Sequence, residues 1–330
     1  MILSIESSCD DSAVAVTEIA TYRLLLHKKI SQEYAHAEYG GVVPELASRL
    51  HAVDLPRLLE AARPHLPDLK AVAVTNAPGL SVTLLEGVAM AQTLALALRL
   101  PLIAVNHLKA HIYSLFIEKE ARFPLMVLLI SGGHTMVLDV RSYSDIRILA
   151  TTMDDSFGES FDKTAKMMGL GYPGGPIVEE LARRGDPGRF AMPIPLRHSP
   201  RIAFSYSGLK NAVRLLVQEH APLDDATRAD IAAAFQQAAV AHLLQKCRKL
   251  FEAHRPERFA IVGGASANLA VRNAFEELCR RYETELLLAD MTYCADNAAM
   301  VGRCAIEGYL REDFTNPLTI RVLPRTDNIF

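Results

Sequence analysis

Two histidines, His107 and His111, stand four residues apart in the stretch NHLKAHIYSLF, Asn106–Phe116. If that stretch is helical, one turn of about 3.6 residues places both imidazoles on one face, where they could chelate a metal. Two unrelated histidines on an amphipathic helix would show the same spacing. A zinc-protease HExxH site is excluded, because Leu108 occupies the place of the glutamate that must follow the first histidine.

Other stretches offer complementary chemistry. The turn SSCDDS presents Ser8, Asp10 and Asp11. Backbone N–H groups there could cradle phosphate and an aspartate could hold Mg²⁺, although an ordinary hairpin turn has the same composition. ISGGHT, with Ile130, Ser131, Gly132, Gly133 and His134, would let a ligand approach the backbone closely, or would simply be a Gly-Gly hairpin loop. IVGGASAN, with Gly263, Gly264 and Asn268, reads as strand, turn and helix start. Its helix-end amides would point outward, but the third glycine of a dinucleotide fingerprint is missing, and Ser266 or Asn268 as a simple cap is the plainer alternative. Asp162 and Lys163 precede the hinge-like GYPGGP. Asp296, at the start of an apolar helix in MTYCADNAAM, fits either an N-terminal cap or a carboxylate aimed into a cleft. Arg183, Arg184, Arg189, Arg197, His198 and Arg201 face one acid, Asp186, in an irregular segment suited to a nucleic-acid backbone or to a solvated loop. No Ser-His-Asp or Cys-His arrangement is evident.

The elements that would position these residues repeat. ILSIESSCDDSAVAVTE reads as strand, turn and strand, and PLMVLLISGGHTMVLDV repeats that grammar; RLLLHKKI and DIRILA supply a third strand to each. Helices are expected over Pro44–Ala62, near Ser81–Leu98 and near Ala226–Ala253. Alternating strands and helices define an α/β fold, here two duplicated lobes with a cleft between them.

The chain has 330 residues, half of them hydrophobic and 22% charged, with a net charge of −3. Nucleic-acid binding would therefore need a local basic patch. No apolar run is read as long enough to span a bilayer, the polar N-terminus is unlike a signal peptide, and a cytoplasmic, membrane-free protein is expected. The five cysteines form no CxxC pair, which argues against a zinc ribbon or a disulfide framework.

Taken in order, IESSCDDSAVAV, HAEYGGVVPELASRLH, NHLKAHIYS, LLISGGHT, GESFDKTAK, GYPGGP, FSYSGLKNAV, GGASAN and CADNAAM resemble the TsaD family of tRNA threonylcarbamoyladenosine synthases, in its bacterial branch. The resemblance implies a duplicated actin-like ATPase fold, shared with hexokinase-type kinases and chaperone ATPases, with a nucleotide cleft. It implies a first lobe at 1–120 with a tail at about 300–330 packing back on it, and a second at 121–299 carrying a basic insertion at about 183–205. It implies transfer of threonylcarbamoyl from threonylcarbamoyl-AMP to the N6 amine of the adenosine 3′ of the anticodon in tRNAs reading ANN codons. His107, His111 and Asp296 then match the ligands of one Fe²⁺ or Zn²⁺ ion, a two-histidine-one-carboxylate set with open positions. Nucleotide, either ATP with Mg²⁺ or the adenylate donor, is expected at Ser131, Gly132, Gly133, Asp162, Gly175, Glu179 and Asn268, with Gly263 and Gly264 on the adenosine side. tRNA is expected at Arg183, Arg184, Arg197, Arg201, Lys163 and Lys210. Implied partners are a TsaB-type paralogue, a TsaE-type small ATPase and a TsaC-type synthase that supplies the donor. A sugar or acid kinase of the same fold is the alternative; it would use Asp10 or Asp11 with Mg²⁺ but leave the histidine pair unexplained.

Overall fold

The computed structural model describes residues 1–325. It consists of two compact units, one formed by Met1–Arg122 with the chain from Ala289 onward, the other by Phe123–Leu288. Along the first unit run β1 (Ile2–Glu6), β2 (Asp11–Thr17), β3 (Leu24–Ser31), α1 (Glu33–Ala37), α2 (Pro44–Ala62), β4 (Ala71–Ala77), α3 (Ser81–Leu98), β5 (Leu102–Asn106) and α4 (His107–Tyr113). The second unit has β6 (Leu125–Ile130), β7 (Thr135–Val140), β8 (Ile146–Thr151), α5 (Phe157–Met167), α6 (Gly174–Ala182), α7 (Ser207–Glu219), α8 (Asp225–His254), β9 (Arg258–Val262), α9 (Leu269–Arg281) and β10 (Glu285–Leu288). The chain then returns to the first unit with α10 (Ala298–Leu310).

The two sheets have the same topology. The orders are β3-β2-β1-β4-β5 and β8-β7-β6-β9-β10, each with two antiparallel pairings followed by two parallel ones. The central strands β1, β4 and β6 are nearly continuous apolar runs because both of their faces are covered. Helix α7, within FSYSGLK and beyond, is an element the strand-and-helix reading did not anticipate.

Two expectations need correction. Residues 289–299, Asp296 among them, belong to the first unit rather than the second, because α10 packs directly on the first sheet. That packing is close: a Cβ at Gly302 would lie 2.5 Å from Thr17 Oγ1 and 2.8 Å from Ser4 Oγ, so only glycine lets the helix settle there. Ser4 Oγ also donates to the Ala298 carbonyl at 2.7 Å. Second, α3 is long and apolar enough to cross a membrane by length and composition. Its Val88, Ala91 and Ala95, however, are buried against Ile5, Val72, Val74 and Leu102 of the first sheet, which gives its apolar character a packing role.

Candidate metal centre and nucleotide-side turns

The histidine helix is short. Residues 107–113 are α-helical and Ser114–Phe116 tighten into a 3₁₀ turn. Asn106, leaving β5, caps α4 by accepting from Leu108 N at 2.9 Å and Lys109 N at 3.1 Å, so His107 is the first helical residue. The two imidazoles lie on one face with ring centroids 4.6 Å apart. Asp296 meets them from the segment before α10, with Oδ1 3.4 Å from His107 Nε2 and 3.1 Å from His111 Nε2. Asn297, not Asp296, caps α10, accepting from Met300 N at 2.8 Å. The Asp296 carboxylate is thereby left for the histidines.

These three side chains offer ligand atoms within 4.8 Å of one another. The donor set suits a metal: although His111 is fully buried and close to Asp296, neither of its ring nitrogens has a hydrogen bond of acceptable geometry among the described residues. A buried polar atom left in that condition is costly, and a cation facing Nε2 would satisfy it. Burial depresses the His111 pKa and keeps the ring neutral, the form that ligates. Burial also opposes a charge on His107, but Asp296 and Glu6 on either side outweigh it and hold this imidazole well above the ordinary range. For Asp296 burial raises the pKa, yet His107 and then His111 hold the carboxyl well below the usual range.

The SSCDDS turn lies beside this centre. Ser8 is buried, and its hydroxyl is 3.2 Å from His107 Nδ1. Asp11 pairs with Lys29 at 2.5 Å, and Lys29 also donates to the Asp296 carbonyl at 3.0 Å. Burial lifts Asp11 to about 7, against the pull of Lys29. Asp10 keeps partial exposure, and its carbonyl accepts from Gln32 N at 3.0 Å.

In the second unit the Gly-Gly turn closes through Ser131 N to the His134 carbonyl at 2.9 Å and His134 N to Ser131 Oγ at 3.1 Å. Gly132 and Gly133 are exposed at its tip. A Cβ at Gly132, Gly133 or Gly175 would meet nothing within 4 Å, and none of the three has a positive φ. Neither packing nor backbone conformation therefore demands glycine at these positions. Gly263 differs, since its φ is +91° and a Cβ would sit 2.4 Å from the Ile130 carbonyl. Ile130 is wholly buried, backbone included, and offers no exposed atom to a ligand. The amides that begin α9 do not point outward unpaired: Leu269 N donates to Glu179 Oε1 at 2.8 Å and Val271 N to Asn268 Oδ1 at 3.0 Å. The carboxylate and the cap fill the place the sequence reading left for an anion. Asp162 Oδ1 accepts from Gly174 N at 2.8 Å and so ties α5 to the start of α6.

The family model described as TsaD, tRNA N6-adenosine threonylcarbamoyltransferase, matches residues 23–303. The chain belongs to the TsaD family. Among relatives named tRNA N6-adenosine threonylcarbamoyltransferase, that of Nitratiruptor sp. is 64% identical over 99% of both chains. That of Wolinella succinogenes is 61% identical over the full length of both. Of solved structures, full-length HypF superposes with a TM-score of 0.62 at 14% identity, over 94% of this chain and 46% of that one. The activator of 2-hydroxyisocaproyl-CoA dehydratase from Clostridium difficile gives 0.52 at 14% identity, over 96% and 98%. At such identities the likeness shows the fold alone, the actin-like ATPase fold.

The basic segment of this TsaD-family chain is more tethered than its composition suggests. Arg183 pairs with Glu180 and Glu179, and Arg189 with Asp230. Lys163 and Lys210 both bind Asp155, at 2.6 and 2.5 Å. Helix α8 straps the later part down through donations from Gln245 to the Arg197 carbonyl, Lys246 to the Leu196 and Arg201 carbonyls and Lys249 to the Ser199 carbonyl. The side chains of Arg184, Arg197, His198 and Arg201 remain on exposed residues. The sequence reading missed Glu6, Asp155 and the α8 strap. Only Glu6 carried a signal, as an acid closing a mostly apolar strand.

Proposed function

We propose that this chain transfers a threonylcarbamoyl group from threonylcarbamoyl-AMP to the N6 amine of the adenosine 3′ of the anticodon in tRNAs reading ANN codons. Full-length membership in a family of that activity carries the reading, and the His107–His111–Asp296 group supports a metal-assisted version of it. Those three residues would hold one Fe²⁺ or Zn²⁺ ion. Such an ion supplies Lewis-acid polarisation and a point of attachment for the donor. The donor is a mixed anhydride, so AMP is already a competent leaving group. The protein's task is then largely to bind and orient, with no side-chain nucleophile required.

The turn around Gly132 and Gly133, together with Gly175, would take the nucleotide. Glycine at three positions where the fold does not ask for it is explained by close approach of a ligand. Arg184, Arg197 and Arg201 would meet the tRNA backbone, with Arg183, Lys163 and Lys210 acting from within their ion pairs. A TsaB-type paralogue and a TsaE-type ATPase would work with the chain, and a TsaC-type synthase would supply the adenylate, in the cytoplasm.

Transfer assayed with the adenylate and a tRNA transcript, alongside tRNA affinity, tests the reading in two arms. Chelation should stop transfer and leave tRNA affinity unchanged, and restoring Fe²⁺ or Zn²⁺ should recover it. Reversing Arg197 and Arg201 to Glu should weaken tRNA binding and lower its salt slope by about 2, while metal content stays intact. Transfer at full rate by metal-free protein, or an unchanged salt slope, contradicts the corresponding arm.

A further inference from the structure

We propose that Glu6 is a positioning residue of the metal centre, holding His107 with Nδ1 protonated so that Nε2 faces the ion. The inference rests on the metal reading above and extends it to a residue outside the ligand set.

Glu6 ends β1 and is completely buried. A carboxylate removed from water must be compensated locally. Its Oε1 accepts from Ser8 N at 2.7 Å and its Oε2 from Thr75 Oγ1 at 2.5 Å. Thr75 lies on β4, one residue beyond the parallel pairing of Ile5 with Val74, so the sheet fixes this partner. With the carboxylate immobilised in this way, Oε2 lies 3.4 Å from His107 Nδ1. The opposite nitrogen of the same ring faces Asp296. His107 therefore has a carboxylate at each nitrogen, whereas His111 Nδ1 has no hydrogen-bond partner among the described residues.

This division assigns different tasks to the two acids. Glu6 sits on the far side of the ring from the ligand cluster and has both oxygens occupied, so it is not a fourth ligand. A histidine whose off-metal N–H points at a carboxylate is fixed in tautomer and made a more basic ligand. Ser8 Oγ is the rival acceptor at 3.2 Å. It is nearer, but a hydroxyl rotates and bears no charge, whereas the carboxylate is both charged and locked.

The test measures zinc affinity of the full chain by competition with a chromophoric chelator, and the His107 Nδ1–H proton by ¹H–¹⁵N NMR of the zinc-loaded protein. Glu6→Gln should weaken zinc binding by about 10–100-fold, with the melting curve near wild type and the Nδ1–H proton shifted upfield by loss of its charged acceptor. Thr75→Val, which frees the carboxylate without removing it, should give a smaller loss in the same direction and serves if Glu6→Gln does not fold. Ser8→Ala should change affinity less than either. Equal zinc affinity and an unchanged Nδ1–H proton shift in Glu6→Gln overturn the inference alone, as does a larger loss in Ser8→Ala. Wild-type protein that holds no zinc or iron overturns the metal reading and this inference with it.

Discussion

Asp296 in the first unit and Asp155 in the second each face two basic side chains, and they differ in how those neighbours are satisfied. At Asp155 the Lys163 ammonium approaches Oδ1 and the Lys210 ammonium Oδ2, at 2.6 and 2.5 Å, so both oxygens are filled. At Asp296 both imidazoles crowd one oxygen, and among the described residues the His111 ring makes no hydrogen bond of proper geometry. The first arrangement is complete as it stands. The second leaves a buried imidazole unsatisfied beside a carboxylate, a condition that a cation would relieve. Satisfaction, rather than the mere presence of charge, distinguishes the two aspartates.

The comparison can be sharpened at the Gly132–Gly133 turn. Gly133→Val adds bulk where nothing in the fold meets it, so the melting temperature should hold while adenylate affinity falls at least tenfold; isothermal titration with AMP reads this directly. Unchanged affinity would mean that Gly133 answers to neither packing nor ligand. A pH-dependent effect on stability alone is expected from His242 on α8. Burial, and then its neighbour Lys246, push its pKa down to about 4, and its Nε2 accepts from Ser205 N at 3.1 Å. The unfolded imidazole takes up a proton near pH 6.5 and the folded one only near 4, so this contribution is whole above pH 6.5 and is lost as pH falls towards 4. It amounts to at most about 3 kcal/mol. Denaturant melts of wild type and His242→Gln should converge across that window, and parallel curves would assign the acid lability elsewhere.

Much of this was legible before the fold was known. The duplicated strand-turn-strand grammar showed because each lobe is built on the same buried strands, and the histidine pair showed because helical spacing is written locally. Asp296 was a different matter. Its place beside α4 depends on α10 settling through Gly302 onto β1 and β2, a contact between distant parts of the chain that no local pattern encodes. On its residues alone Asp296 accordingly read as either a helix cap or a carboxylate aimed into a cleft, and the first of these roles is filled by Asn297. The basic segment misled in the opposite sense. Its arginines and lysines were visible, but not the carboxylates of Asp155, Asp230 and Glu180 or the α8 side chains that hold it. Asp155 and Asp230 lie far from the segment in sequence, and Glu180 stands just before it.

The most direct test replaces each of the two aspartates by its uncharged isostere and counts metal by elemental analysis, with tRNA modification measured in parallel. Asp296→Asn should lose the bound iron or zinc and at least 100-fold of the transfer rate, with a near-native melting curve. Asp155→Asn should retain one metal per chain and transfer within a few-fold of wild type, while its melting temperature falls by about 2 °C for the two half-exposed ion pairs it breaks. Full metal occupancy in Asp296→Asn, or equal loss of metal in both variants, would contradict the account.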